Sequence, residues 1–268
     1  MILQALYEYY NRSKGNLPAF GRELKEIGFL IVIDKEGNFL KFEDRRIDKK
    51  SAQQFLVKKH VGRTSAIAAN LLYDSSSYVF GYPKEGKSAE QMDAFRSLVE
   101  QVYEAFPEHE AISAVHSFYE VPIEVVHEKM QKDILWDDVA NNLNKKFSTF
   151  SFLVAGDTKI VAEMDELIDL LDEESAGEMH RCLVSGELGN TVETTTATMI
   201  PGSQATAKLI AFQVNSGYDS YGKEKGGNAP ISEKAEFAYT TAMNHLLRSN
   251  SRNKFLIGNR TFLFWASK

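Results

Sequence analysis

Apolar positions recur at helical spacing over residues 1–13, where Leu3, Leu6, Tyr7 and Tyr10 fall on one side of a predicted helix. An apolar run, FLIVI at 29–33, and the segment 38–42 predict two strands, with DKEG at 34–37 supplying the hairpin turn. A further strand is predicted at 54–57. The segment RTSAIAANLLYDSSSYVFG at 63–81 mixes small, polar and apolar residues, with a predicted strand at 77–80. Helical periods follow at 88–105, 109–119, 122–132 and 136–143, then a strand at 149–155 and an acidic helix at 163–174. Strands are expected at 181–184 and 209–214, flanking a Thr-rich stretch (187–208) whose weak periodicity reads as a loop region.

Near the C-terminus a Gly/Lys/Asn loop, GKEKGGN at 222–228, precedes a helix running from Ser232 to about Leu247. Ser232 is placed to cap it, and the acids of the first turn suit the helix dipole. Phe237, Ala238, Thr241, Ala242, His245 and Leu246 carry the helical spacing. A hairpin closes the chain, with strands at 255–257 and 261–265 about a Gly258-Asn259 turn. Together these elements predict an α+β fold of mixed, mainly antiparallel sheets with a helical insertion near 88–145.

Composition narrows the class. With 268 residues, 43% hydrophobic and 25% charged, the chain is long enough for one large core or two smaller ones. No apolar run approaches the roughly 20 residues that cross a bilayer, and residues 1–13 lack a signal-peptide pattern. The single cysteine, Cys182, rules out an internal disulfide and fits a cytoplasmic setting. A net charge of −6 argues against a generic nucleic-acid binder, but the distribution is uneven. Residues 41–63 carry eight Lys/Arg against three acids, 89–139 three against twelve, and 157–178 one against nine. After Glu236 there is no acid, while Arg248, Arg252, Lys254, Arg260 and Lys268 are all positive. Such asymmetry gives one surface for a polyanion and others that avoid it.

Catalytic motifs are sparse. GYPKEGKS at 81–88 satisfies the P-loop pattern between a predicted strand and helix. Against it, Pro83 removes an N–H from the phosphate cradle, and no third glycine eases the wrap. His60, His109, His116, His127, His180 and His245 show no metal-ligand spacing, and Cys182 lies in no nucleophile elbow. No catalytic residues, metal or cofactor are therefore expected.

Phosphate-bonding types cluster more convincingly. Lys58, Lys59 and Arg63 precede Asn70, a residue type able to read base edges in a groove. Lys223 and Lys225 stand among Gly226, Gly227 and Asn228, where glycines would let backbone approach a duplex closely. Arg248, Arg252 and Lys254 are candidates for further phosphate contacts.

The stretches MILQALYEYYNR, EIGFLIVIDKEGNFL, RTSAIAANLLYDSSSYVFG and NAPISEKAEFAYTTAMNHLLRSNSRNKFLIGNRTFLFWA resemble the large subunit of the type I-C CRISPR interference complex, Cascade. The resemblance runs over residues 1–268 and is most specific in the first dozen and last forty. It implies an N-terminal domain whose relatives continue into a C-terminal helical bundle absent here. It further implies a non-catalytic, cytoplasmic subunit in antiviral defence. Guide RNA reads the target by pairing, while the large subunit reads the protospacer-adjacent motif in double-stranded DNA and aids strand opening. The implied partners are the handle-binding and backbone subunits, the guide RNA, target DNA and a helicase-nuclease, with no membrane. Alternatives from other classes are a P-loop nucleotide-binding protein using residues 81–88 and a purely structural scaffold.

Overall fold

The computed structural model describes residues 2–266 except 14, 64–65, 144, 170–178, 205, 213–218, 220 and 249–250. The chain divides into two compact units, Met1–Gly21 with Glu174–Lys268, and Arg22–Glu173. Helix α1 (Ile2–Arg12) belongs to the first, and β1 (Arg22–Glu26) starts the second.

In the second unit, β2 (Phe29–Ile33) is buried at every position. A strand covered on both faces has no solvent side, so it reads as a continuous apolar run rather than an alternating one. Its neighbours are β3 (Phe39–Asp44), antiparallel, and β6 (Thr149–Val154), parallel; β5 (Tyr73–Ser75) pairs antiparallel with β6. The sheet order is β3-β2-β6-β5. The predicted β2–β3 turn forms as expected: Asn38 N–H donates to Asp34 Oδ1 at 2.7 Å, and Gly37 takes φ +81°. Strand β4 (Gln54–Lys58) pairs with β1 in a separate antiparallel ribbon. β1 is absent from the sequence reading because RELKE has one apolar residue, Leu24, which is exposed; backbone pairing alone makes it a strand.

Five helices separate β5 from β6: α2 (Ser76–Val79), α3 (Ser88–Ala105), α4 (Glu110–Glu120), α5 (Ile123–Met130) and α6 (Trp136–Ala140). The predicted helical insertion is thus present, and the α+β class with mixed, mainly antiparallel sheets holds. α4 starts where His109 Nδ1 accepts the Ile112 N–H at 3.4 Å, and it packs on β2 and β6. Edge-to-face rings join the layers: Phe118 on Phe152 and Phe80 on Phe150, each 5.1 Å between centroids. Each fully buried ring contributes about 1.5–3 kcal/mol of hydrophobic stabilisation.

Several boundaries differ from expectation. The predicted strand at 77–80 is instead helix α2, in which Phe80 N–H donates to Ser76 O, and the strand lies earlier, at β5. Short apolar runs do not distinguish strand from helix, and a helical turn here delivers Tyr78, Val79 and Phe80 to the core together. The helix at 163–174 is a 3₁₀ turn, Val161–Glu163, followed by α7 (Asp165–Asp169); residues 170–174 lie outside the described residues.

In the first unit, α1 packs against α8 (Glu233–Leu247), joining Leu6 and Tyr10 to Ala235, Phe237, Ala238 and Leu246. Ser232 caps α8 as predicted, its Oγ accepting the Ala235 N–H at 3.3 Å. Strands β7 (Met179–Arg181) and β8 (Leu188–Asn190) form one antiparallel pair, and β9 (Lys254–Ile257) and β10 (Arg260–Leu263) another. The expected strand at 209–214 is missing over 209–212, where Lys208 makes only an isolated bridge to Ala197; residues 213–214 lie outside the described residues. The Thr-rich segment is instead tied to α8. Thr196 N–H donates to the buried Glu236 carboxylate at 2.6 Å, and Met199 N–H to Asn244 Oδ1 at 2.9 Å.

The strand predicted at 181–184 lies upstream instead, as β7 (Met179–Arg181), because the chain turns around Cys182. The buried Sγ accepts N–H groups from Ser232, Val184 and Ser185 at 3.3–3.5 Å. Burial raises the thiol pKa, but these hydrogen bonds prevail and bring it from 9.0 to about 7. The native state therefore favours thiolate where the unfolded chain still holds the proton, so this contribution grows from about pH 7 to pH 9 and is lost as pH falls through 7. Cys182→Ala is expected to cost about 1–3 kcal/mol by stranding those donors. Urea unfolding of both proteins at pH 6 and pH 9 checks this: the deficit should be larger at pH 9, and a deficit independent of pH removes the thiolate.

Candidate nucleic-acid interface

The sequence-predicted contacts fall into two groups, one in each unit. Lys58, Lys59, Arg63 and Asn70 lie in the second unit, and the 223–228 loop with Arg248, Arg252 and Lys254 in the first.

In the first-named group the structure brings Arg63 and Asn70 together around Asp74, a residue the sequence reading did not single out. Asp74 is 3% exposed. The Arg63 guanidinium donates to both its carboxylate oxygens, one at 3.1 Å through Nη1 and the other through Nη2. The same guanidinium lies 4.1 Å from the Tyr78 ring centroid, a cation–π contact. Asn70 is buried; its N–H donates to Asp74 Oδ2 at 2.9 Å, and its Oδ1 accepts the Val61 N–H at 2.9 Å. Arg63 and Asn70 therefore hold the 61–74 segment in shape. Lys58 ends β4 and donates from Nζ to Ile168 O at 3.2 Å. Lys59 is half-buried beside it, and His60 Nδ1 lies 2.8 Å from Glu23 Oε2.

In the other group the loop is internally built. Residues Lys225–Asn228 form a 3₁₀ turn, with Lys225 at φ +48°. The Lys225 ammonium pairs with Glu193, which raises its pKa, and the Gly226 N–H donates to Glu193 O at 3.2 Å. Gly226 is buried, and a Cβ there would stand 2.4 Å from Val192 O. The protein's own packing therefore already requires glycine at this position. Gly227 N–H donates to Glu224 O, and Asn228 Nδ2 to Lys223 O at 3.4 Å. Lys223 is exposed, as are Arg248 and Arg252. Lys254 turns inward: Nζ donates to Leu247 O at 2.7 Å and Arg248 O at 2.9 Å, satisfying carbonyls at the end of α8. Lys268 lies outside the described residues.

The P-loop pattern at 81–88 lacks its expected setting. A helix, α2, precedes it where the reading placed a strand. Ser88, the residue that would meet magnesium, is buried and donates its hydroxyl to Pro83 O at 2.6 Å and Glu85 O at 2.7 Å. The hydroxyl is spent on closing the turn.

Among the described residues no group of three or more His, Cys, Asp or Glu could hold a metal, and no helix is long and apolar enough to cross a membrane. Several histidines make structural contacts: His109 bridges to Glu166 at 3.1 Å, and His116 stacks on Tyr103 at 4.1 Å. His127 donates from Nε2 to Phe80 O at 2.6 Å, with burial lowering its pKa.

Asp74 and Glu193, which fix the two basic segments, carried no sequence signal; each is one acid in a polar run whose partner is chosen by folding. No curated protein matches the chain. The family model described as CRISPR-associated protein (Cas_Csd1) matches residues 6–268, spanning nearly all of both units. The chain therefore belongs to the Cas_Csd1 family of CRISPR-associated proteins.

Proposed function

We propose that this chain is the N-terminal part of the large subunit of a type I-C Cascade, a non-catalytic component that recognises the protospacer-adjacent motif in double-stranded target DNA. In this reading it works with the handle-binding and backbone subunits and the guide RNA, aids strand opening and helps recruit the helicase-nuclease. Base pairing with the guide supplies the long-range specificity, so the protein has only a short duplex element to read. The observation that carries the reading is the family match across residues 6–268. The preformed basic loop supports it: Lys223 is exposed on a turn whose backbone is held by the Glu193–Lys225 pair. Lys58, Lys59, Arg248 and Arg252 add phosphate contacts, while Arg63 and Asn70 are tied to Asp74 and Val61 in the chain that follows the first two. The strongly acidic helices of the insertion face protein or solvent, since phosphate repels them.

The test is an interference complex reconstituted with Lys223→Ala/Lys225→Ala or Asn70→Ala protein and titrated with duplexes bearing or lacking the motif at several salt concentrations. The lysine variant is expected to assemble normally and to lower the slope of log Kd against log salt by about 1, for the phosphate contact of the exposed Lys223, since Lys225 is held by Glu193. Asn70→Ala is expected to lose preference for the motif-bearing duplex. Equal affinity, slope and preference in wild type and variants would make the domain a scaffold.

A further inference from the structure

We infer that the outer face of the β9–β10 hairpin is a stacking platform for single-stranded DNA. The pairing register places Phe255 opposite Phe262 and Ile257 opposite Arg260, so these four share one face, and Phe264, two residues beyond Phe262, joins them. The opposite face is turned toward its own unit. There Leu263 and Trp265 pack on the core, Trp265 meets Tyr9 edge-on at 6.4 Å, and the Lys254 ammonium caps α8. The hairpin is thus anchored at its base on one side, though Leu256 nearer the turn on that side is 58% exposed, and is uncovered along the other.

What it leaves uncovered is aromatic. Phe255, Phe262 and Phe264 are 46%, 41% and 50% exposed. Phe255 and Phe262 stack with centroids 5.0 Å apart and planes 6° from parallel, and Phe264 stands 6.0 Å from Phe255. Contiguous exposed apolar surface marks an interaction site, whereas scattered apolar residues do not. The charge around it selects the partner. No acid occurs from Phe237 to Lys268, while Arg248, Arg252 and Arg260 are exposed. An aromatic stack that shares its face with Arg260, in a stretch of chain without acids, suits a strand whose bases are unpaired and whose phosphates are negative. A duplex, with its bases already stacked on each other, cannot use the rings. The face offers Phe, Ile and Arg side chains and no acceptor for a ribose 2′-hydroxyl, so nothing on it favours RNA. This goes beyond motif reading in duplex DNA and does not depend on it.

The experiment is anisotropy titration of the whole protein with labelled oligothymidylate, oligouridylate and a duplex of equal length. The proteins compared are wild type, Phe255→Ala, Phe262→Ala, Phe262→Leu and Phe262→Trp, with thermal melts to show that each is folded. Wild type is expected to bind oligothymidylate, and each alanine variant to bind it about tenfold more weakly. Phe262→Leu should fail like alanine because it keeps apolar area without a π face, and Phe262→Trp should restore binding. Duplex affinity should be unmoved by all four, so loss of duplex motif preference in Asn70→Ala tests the other proposal separately. Absence of oligothymidylate binding, unchanged affinity in both alanine variants, or full activity of Phe262→Leu would overturn the platform; the last result would mark a protein-docking face. Binding confined to oligouridylate would overturn the assignment to DNA.

Discussion

Gly37→Ala is expected to destabilise the protein by about 3 kcal/mol, the sum of two penalties at one position. The residue sits at φ +81°, where an L side chain costs about 1–2 kcal/mol. The added Cβ would also stand 2.4 Å from Phe118 N, 2.6 Å from the Ser117 carbonyl carbon and 2.7 Å from Ala114 O. All three are backbone atoms of α4, so no rotamer change relieves the clash. Either the hairpin turn or the helix must move, at an overpacking cost of about 1–3 kcal/mol. Any shift of α4 disturbs the Phe118–Phe152 contact between insertion and sheet. At about 2–4 °C per kcal/mol for a domain of this size, calorimetry should show a fall of about 6–12 °C. Gly156→Ala is the control, since Gly156 has φ +98° but open space around its Cβ position. A Gly37→Ala melting point no lower than that of Gly156→Ala would refute the clash.

Arg63→Ala should cost about 3 kcal/mol while leaving the salt dependence of DNA binding as it was. Removing the guanidinium leaves the Asp74 carboxylate, 3% exposed, without its bidentate partner, and an uncompensated buried charge is among the costliest single defects. The cation–π contact with Tyr78 goes as well. Asp74→Ala in the same background should not repair the loss, because the Asn70 and Ser75 N–H groups that donate to that carboxylate would then be stranded. Arg63→Lys should recover only part, since an ammonium keeps the charge but neither the fork nor the flat stacking surface. Urea unfolding measures the first effect and oligonucleotide titration the second. Normal stability with a salt slope reduced by about 1 would show that Arg63 is a phosphate contact and not a clamp.

That contrast locates where sequence reading succeeds and where it stops. Elements with a strong local signal were legible: the FLIVI strand, the DKEG turn, the Ser232 cap and the C-terminal hairpin all form as read. β1 was hidden because its pairing is a backbone matter and its side chains are polar. α2 was misassigned because a buried four-residue turn has no period long enough to be recognised. The basic segments were visible as composition, but the work done by each cation was not. Arg63, Lys225 and Lys254 are committed to Asp74, Glu193 and the end of α8, partners between 6 and 32 residues away that only the fold selects. The exposed cations, Lys223, Arg248 and Arg252, differ from them in nothing that a sequence displays.

The second unit's residues interrupt the sequence of the first, which has a consequence for synthesis on the ribosome. β2 cannot complete its pairing until β6 has emerged, more than a hundred residues later, so the central strand must wait while the insertion helices form from local contacts. The second unit can then close with the chain only partly translated. The first cannot, because the apolar side of α1 finds its partner on α8, near the other end of the chain. Leu6 and Tyr10 are therefore made well before the residues that cover them. The nascent chain carries an unsatisfied hydrophobic helix until α8 emerges, a natural target for a chaperone that binds early and lets go late.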